Sequence, residues 1–244
     1  MTKHVIASTA AAGLMLAAVV SAQAPAGKAE LKLNLPKPMF VGTPTNIKSA
    51  NLEITGKSRG PFYVPTGTKL LSLKRPVTSS DAAPVIGDLD MVTDGEKSGG
   101  EGYFVELGPG KQWVQVDLGA SYALHAVLAW HFHSQARVYR DVVVQVSDDK
   151  NFSKGVTTVF NNDHDNSAKL GAGAEKEYVD VAEGKLFDPK GVKGRYVRLY
   201  SNGNTSNDLN HYVEVEVYGT SAKWAGPPSG SCSPERCCWR WRSG

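Results

Sequence analysis

Apolar and polar residues alternate over short runs in this chain, and Gly, Asp and Asn separate the runs. Trp113-Val114-Gln115-Val116-Asp117-Leu118 alternates and stops at Gly119. Leu124 to His133 is a second apolar run. Asp141 to Ser147 sets Val142, Val144 and Val146 on one face. Arg195 to Tyr200 is a fourth run. His211 to Tyr218 closes the set, with Val213, Val215 and Val217 inward and Glu214 and Glu216 outward. A two-residue period marks a half-buried strand, because successive side chains leave a strand on opposite faces. No stretch carries the period of a long amphipathic helix. Short strands with turn signals between them predict an all-β fold, a sandwich or a barrel.

The flanks break this pattern. Met1–Ala24 opens with Lys3 and His4, continues through an apolar run from Ala10 to Val20, and ends on small residues. The run is shorter than the ~20 residues a membrane-spanning helix needs. It reads as a secretory signal peptide, residues 1–22, cut after Ala22. Residues 23–66 carry Pro25, Pro36, Pro38, Pro44, Pro61 and Pro65 without period, as in a linker or a strap laid on the domain. The strand pattern occupies 67–219. Residues 220–244 hold Cys232, Cys237 and Cys238 with Trp224, Trp239 and Trp241, and read as a disordered tail.

Composition adds two constraints. The chain has 244 residues, 41% hydrophobic and 21% charged, which is globular composition. A domain of ~150 residues buries enough surface to fold without a disulfide or a metal, and the strand-bearing body contains no cysteine. The net charge is +3, and 220–244 accounts for all of it with four cations and one anion. The body is therefore neutral and offers no basic face to nucleic acid. No integral membrane span is expected. The export signal places the mature chain outside the cell, in the periplasm or on the cell surface.

Several segments, in order, resemble the discoidin-like family, the coagulation factor V/VIII C-type domains, whose fold is shared by family 32 carbohydrate-binding modules. Leu73-Lys74-Arg75-Pro76-Val77-Thr78-Ser79-Ser80 is similar to its opening strand, and Val92-Thr93-Asp94-Gly95 to its acidic turn. Trp113 to Gly119 is similar to its central strand, and Tyr139 to Asp149, with Val146-Ser147-Asp148-Asp149, to a later strand and turn. Val213 to Gly219 is similar to the closing strand. The resemblance covers about 67–219. It implies an eight-stranded antiparallel jelly-roll β-sandwich of the galactose-binding-like kind. It also implies a bacterial-type binding role, towards glycan, phospholipid or protein, rather than catalysis. Fold alone does not choose among these.

The resemblance further implies a structural calcium. Calcium takes six to eight oxygens at ~2.3–2.6 Å. Asp94, Ser98 and Glu214 are the implied ligands, with backbone carbonyls of the 94–100 loop. Lys97 places a cation beside them, the family's Trp is missing, and Tyr103 stands near its place. The competing reading is an Asp capping a turn and a Glu on a solvated strand face.

For ligand binding, the resemblance points to a His and an Arg near a strand end, here His131, His133, Arg137 and Tyr139. Planar polar groups bond sugar hydroxyls, and aromatic rings stack on the apolar sugar face. On a strand, His131 and His133 share a face. A zinc reading needs further ligands from His125, His164 or His211, and no spacing selects them. An exposed strand end with an internally bonded Arg is the plain alternative. The polar loop Phe160–Ser167 resembles neither an EF-hand nor a phosphate loop and reads as a turn, with lining of the ligand face as the alternative. The loop Ser201–His211 brings Asn204, Asn207 and His211 to where family ligand sites are completed. No nucleophile elbow or HExxH motif occurs.

The sequence therefore reads as a secreted, monomeric, non-enzymatic module. Its partner is a carbohydrate or cell-surface polymer, bound by loops at one end of the sandwich. A protein-adhesion or envelope-scaffold module is the alternative.

Overall fold

A computed structural model describes residues 24–40, 47, 49, 51–53 and 58–221. The expected signal peptide, residues 1–22, and, beyond Ser221, the cysteine-bearing tail lie outside the described residues. In chain order the strands are β1 (Lys28–Glu30), β2 (Tyr63–Pro65), β3 (Lys69–Leu70) and β4 (Val77–Ser79). A 3-10 helix, Leu89–Thr93, precedes β5 (Val105–Leu107), β6 (Lys111–Trp130), β7 (Val143–Ser147) and β8 (Thr157–Asn161). Then come β9 (Lys185–Phe187), β10 (Lys193–Asn202), β11 (Asn210–Tyr212) and β12 (Glu214–Ser221). Among the described residues no helix is long and apolar enough to cross a membrane.

Eight strands join in one antiparallel sheet, in the order β3-β12-β6-β10-β7-β8, with β4 and β9 also pairing β6. This is the expected antiparallel β-sandwich, and β6 is what folds it into two layers. Its first half pairs β4 and β10, through Val116↔Val77 and Val116↔Val197. Its second half pairs β12 and β9, through Val127↔Val217 and Val127↔Phe187. The bend falls at Gly119, which the sequence reading took as a strand end. Gly119 has φ +82°, a left-handed conformation that costs glycine little, and Asp117 Oδ1 accepts its N–H at 2.8 Å.

The alternating apolar residues meet between the layers. Val114, Val116, Leu118, Val144, Val146, Val197 and Leu199 pack from one side against Leu124, Val127, Ala129, Val215 and Val217 from the other. Each such side chain contributes about 1.5–3 kcal/mol by leaving water. Val213 differs from the sequence reading. It lies between β11 and β12 and packs outside this core, with Phe104, Ala126, Leu128, Trp130, Phe132 and Tyr218.

That second cluster covers the outer face of the β12–β6–β9 layer, and Leu31, Leu33 and Phe62 close over it. β1 and β2 pair with each other, Ala29 opposite Val64. Arg59 ties the strap to the sandwich, donating to the carbonyls of Gly184 and Glu183 at 3.0 Å each. Glu214 and Glu216 do point away from the core, but they are not solvated. They are 0% and 3% exposed, because a loop and the strap roof this face.

Candidate functional site

At one end of the sandwich β11 pairs β5, with His211 opposite Glu106. Ile86 bridges to Glu106 from the other side. Directly paired residues share a face, so Ile86, Glu106 and His211 stand side by side across three segments. Ile86 is exposed, Glu106 is 9% exposed and His211 is buried. His211 Nε2 lies 2.9 Å from Glu106 Oε2. A carboxylate only accepts, so Nε2 carries the proton and Nδ1 accepts the Tyr139 hydroxyl at 3.0 Å. Burial, then Arg137, then His131 push the His211 pKa down to about 4, so the ring is neutral at physiological pH. Burial raises the Glu106 pKa, and the Arg137 charge opposes that rise.

Arg137, 9% exposed, places its Cζ over the Phe132 ring, 4.5 Å from the centroid. Its edge is loosely held. One NH2 contact runs to Gln135 Oε1 at 3.3 Å, and NH1 is 3.5 Å from His211 Nε2. Since both groups of the latter pair donate, it is a close approach rather than a strong bond. Phe104 meets Phe132 edge-on at 5.1 Å and lies 5.6 Å from His211. Tyr103, immediately before it in the chain, is an exposed aromatic.

The two expected strand-end histidines sit deeper. β6 ends at Trp130, so His131 and His133 follow the strand rather than sharing its face. Both are fully buried. The His131 ring stacks on Tyr139 at 4.4 Å, with Nδ1 3.4 Å from Asp180 Oδ2. Neither His131 ring nitrogen has a hydrogen-bond partner among the described residues. Burial and the Asp180 charge hold the Tyr139 hydroxyl well above its usual pKa. His133 Nε2 bonds the Lys97 carbonyl at 2.8 Å. The structure thus brings Arg137, Tyr139 and His211 together, with His131 behind them, and sends His133 towards the 94–100 loop. Glu106 was not among the expected residues. The sequence signal for it was one acid in an otherwise apolar strand, Val105-Glu106-Leu107.

Asn204 organises its own loop. Its amide donates to Asn207 Oδ1 at 2.7 Å and the Leu209 carbonyl at 2.9 Å, and its oxygen accepts the Ser206 N–H at 2.8 Å. Asn207 is exposed, and a bridge from Asn204 to Tyr139 joins this loop to the rim.

At the implied calcium site, the Asp94 turn does reach Glu214. Gly95 donates its N–H to Glu214 Oε2 at 3.0 Å. Glu214 Oε1 is buried without a partner among the described residues. Burial, then the Glu216 and Asp94 charges, push the Glu214 pKa up to about 9. Lys97 Nζ lies 2.6 Å from Glu216 Oε1, and Tyr218 donates to Glu216 Oε2 at 2.8 Å. Asp94 and Ser98 are exposed, and both make turn bonds with Glu96: Asp94 Oδ1 accepts its N–H, and its Oε1 accepts the Ser98 N–H. Elsewhere, carboxylates of Asp141, Asp163 and Asp165 approach within 4.8 Å of one another, a grouping that could hold a metal ion.

A family model described as the F5/8 type C domain matches residues 77–215. No curated protein sequence matches the chain. Solved structures do. The CBM32 of AlyQ, in complex with 4,5-unsaturated mannuronic acid, is 20% identical, covering 61% of this chain and 97% of its own, with TM-score 0.45. SpX-3, a Streptococcus pneumoniae fucose binding module, is 16% identical over 63% and 99%, with TM-score 0.44. A family 89 glycoside hydrolase from Clostridium perfringens is 18% identical with TM-score 0.44, covering 61% of this chain, which spans 14% of that enzyme.

Proposed function

This chain belongs to the F5/8 type C domain family, and on that premise we propose that it is a non-catalytic module that binds a carbohydrate or cell-surface polymer at the Glu106–His211–Arg137 rim. Arg137 carries the reading. Its guanidinium carbon lies over Phe132, and its contacts to Gln135 and His211 are long. Such a fork, held over an aromatic ring and still able to donate, suits vicinal hydroxyls. Glu106 supplies the matching acceptor, and the exposed Ile86 beside it offers an apolar surface to a sugar ring. Nothing at this rim pairs a nucleophile with a base on an open cleft. The leader sequence supports action outside the cytoplasm, as a secreted, periplasmic or surface-held protein.

Calcium at the 94–100 loop belongs to the same reading. The orphaned Glu214 Oε1, buried and charge-starved, is a fitting cation ligand. Glu214, Asp94 and neighbouring carbonyls would hold the ion, which would neutralise acids that Lys97 only partly offsets.

The test is a glycan array followed by isothermal titration of the full chain, with Arg137→Lys beside it. Lysine keeps the charge and loses the planar fork. Saccharide binding weakens about tenfold or more in the variant while its melting midpoint holds. Silence of the unmodified chain across neutral and acidic saccharides would favour a protein-adhesion role instead.

A further inference from the structure

We propose that Glu106 is the specificity-determining residue of the rim, selecting uncharged saccharides over uronates and sulfated sugars. The inference rests on the carbohydrate reading above and adds the chemistry of the ligand. Three polar groups meet at one atom, His211 Nε2, which lies 2.9 Å from Glu106 and 3.5 Å from Arg137. The neutral ring touches one negative and one positive group, so the three together carry no net charge. Both charged residues are only 9% exposed, and at such depth water screens their fields weakly.

The two charged groups also differ in hydrogen bonding. A guanidinium only donates, and a carboxylate only accepts. A pair of sugar hydroxyls satisfies both, one accepting from Arg137 and the other donating to Glu106. A uronate or sulfate ester accepts from Arg137 equally well but gives Glu106 nothing. It also brings a like charge beside a carboxylate that is already costly to ionise. Rejection therefore comes from Glu106, and attraction from Arg137.

The experiment uses an array of saccharides in matched pairs, each neutral glycan beside its uronate or sulfated counterpart, at pH 7.5. The chain and its Glu106→Gln variant are compared, with affinities of the hits measured by titration. Glutamine keeps the shape and the oxygen that accepts the His211 Nε2–H. The chain prefers the neutral member of each bound pair by about tenfold or more, and Glu106→Gln loses or reverses that preference. Equal or tighter binding of the charged members by the unmodified chain overturns the inference without any variant. So does an unchanged ratio in a Glu106→Gln protein of native melting behaviour. Silence of the unmodified chain on every pair overturns the carbohydrate reading itself.

Discussion

Gly95 donates its backbone N–H to Glu214 Oε2 at 3.0 Å, a bond spanning 119 residues of chain. It pins the loop after the 3-10 helix to the start of β12 and leaves Glu214 Oε1 buried, without a partner among the described residues. Calcium added to chelator-treated protein should raise the melting midpoint by several degrees, as binding to the native state alone requires. Glu214→Gln should remove that increment. A midpoint indifferent to both calcium and chelator would take the ion out of this loop.

Acidification should weaken the fold through His211. Its folded pKa, about 4, lies below the ordinary histidine value of 6.5, so the unfolded chain takes up the proton first. The stability that the neutral ring contributes is complete above pH 6.5 and is lost as pH falls towards 4, by up to about 3 kcal/mol. Glu106, with its pKa raised, acts in the opposite sense near the lower end of that window. The measurement is therefore the difference between the chain and His211→Gln in denaturant midpoints from pH 7 to 4. Parallel curves would show that the ring is not held neutral.

The strap should behave as part of the sandwich. Leu33 and Phe62 pack on the cluster around Leu128 and Trp130, and both are partly buried. Leu33→Ala and Phe62→Ala should each cost about 1–2 kcal/mol in chemical denaturation, less than a fully buried site loses. Leu35→Ala, at a position 43% exposed, should cost almost nothing. Equal, negligible losses at all three would show the strap to be detachable.

The layers were legible in the sequence because their signal is local. Val142, Val144 and Val146 declare a buried face through their own spacing, and so do Val215 and Val217. The Asp94 turn and Glu214 were paired only through family resemblance, since no local pattern links positions so far apart. Glu106 and Asp180 escaped notice for a related reason. Each is a lone acid whose meaning comes from a histidine that the fold delivers, His211 at 2.9 Å and His131 at 3.4 Å. Alternation also misled where it ran past its element. His131 and His133 continue the rhythm of β6 after Trp130 but have left its ladder. Glu214 and Glu216 alternate as solvated residues do, and they are buried because Lys97 and the second apolar cluster cover that face.

β6 runs for 20 residues through both layers. Each layer keeps interior strands of its own, β10 and β7 in one and β12 in the other, but both hang on this one continuous backbone. Breaking the pairing at Val116 takes away the support of Val127 on the far side of the same backbone. The sandwich should therefore open as one cooperative block, with its slowest amide exchange along this shared strand rather than in either layer by itself.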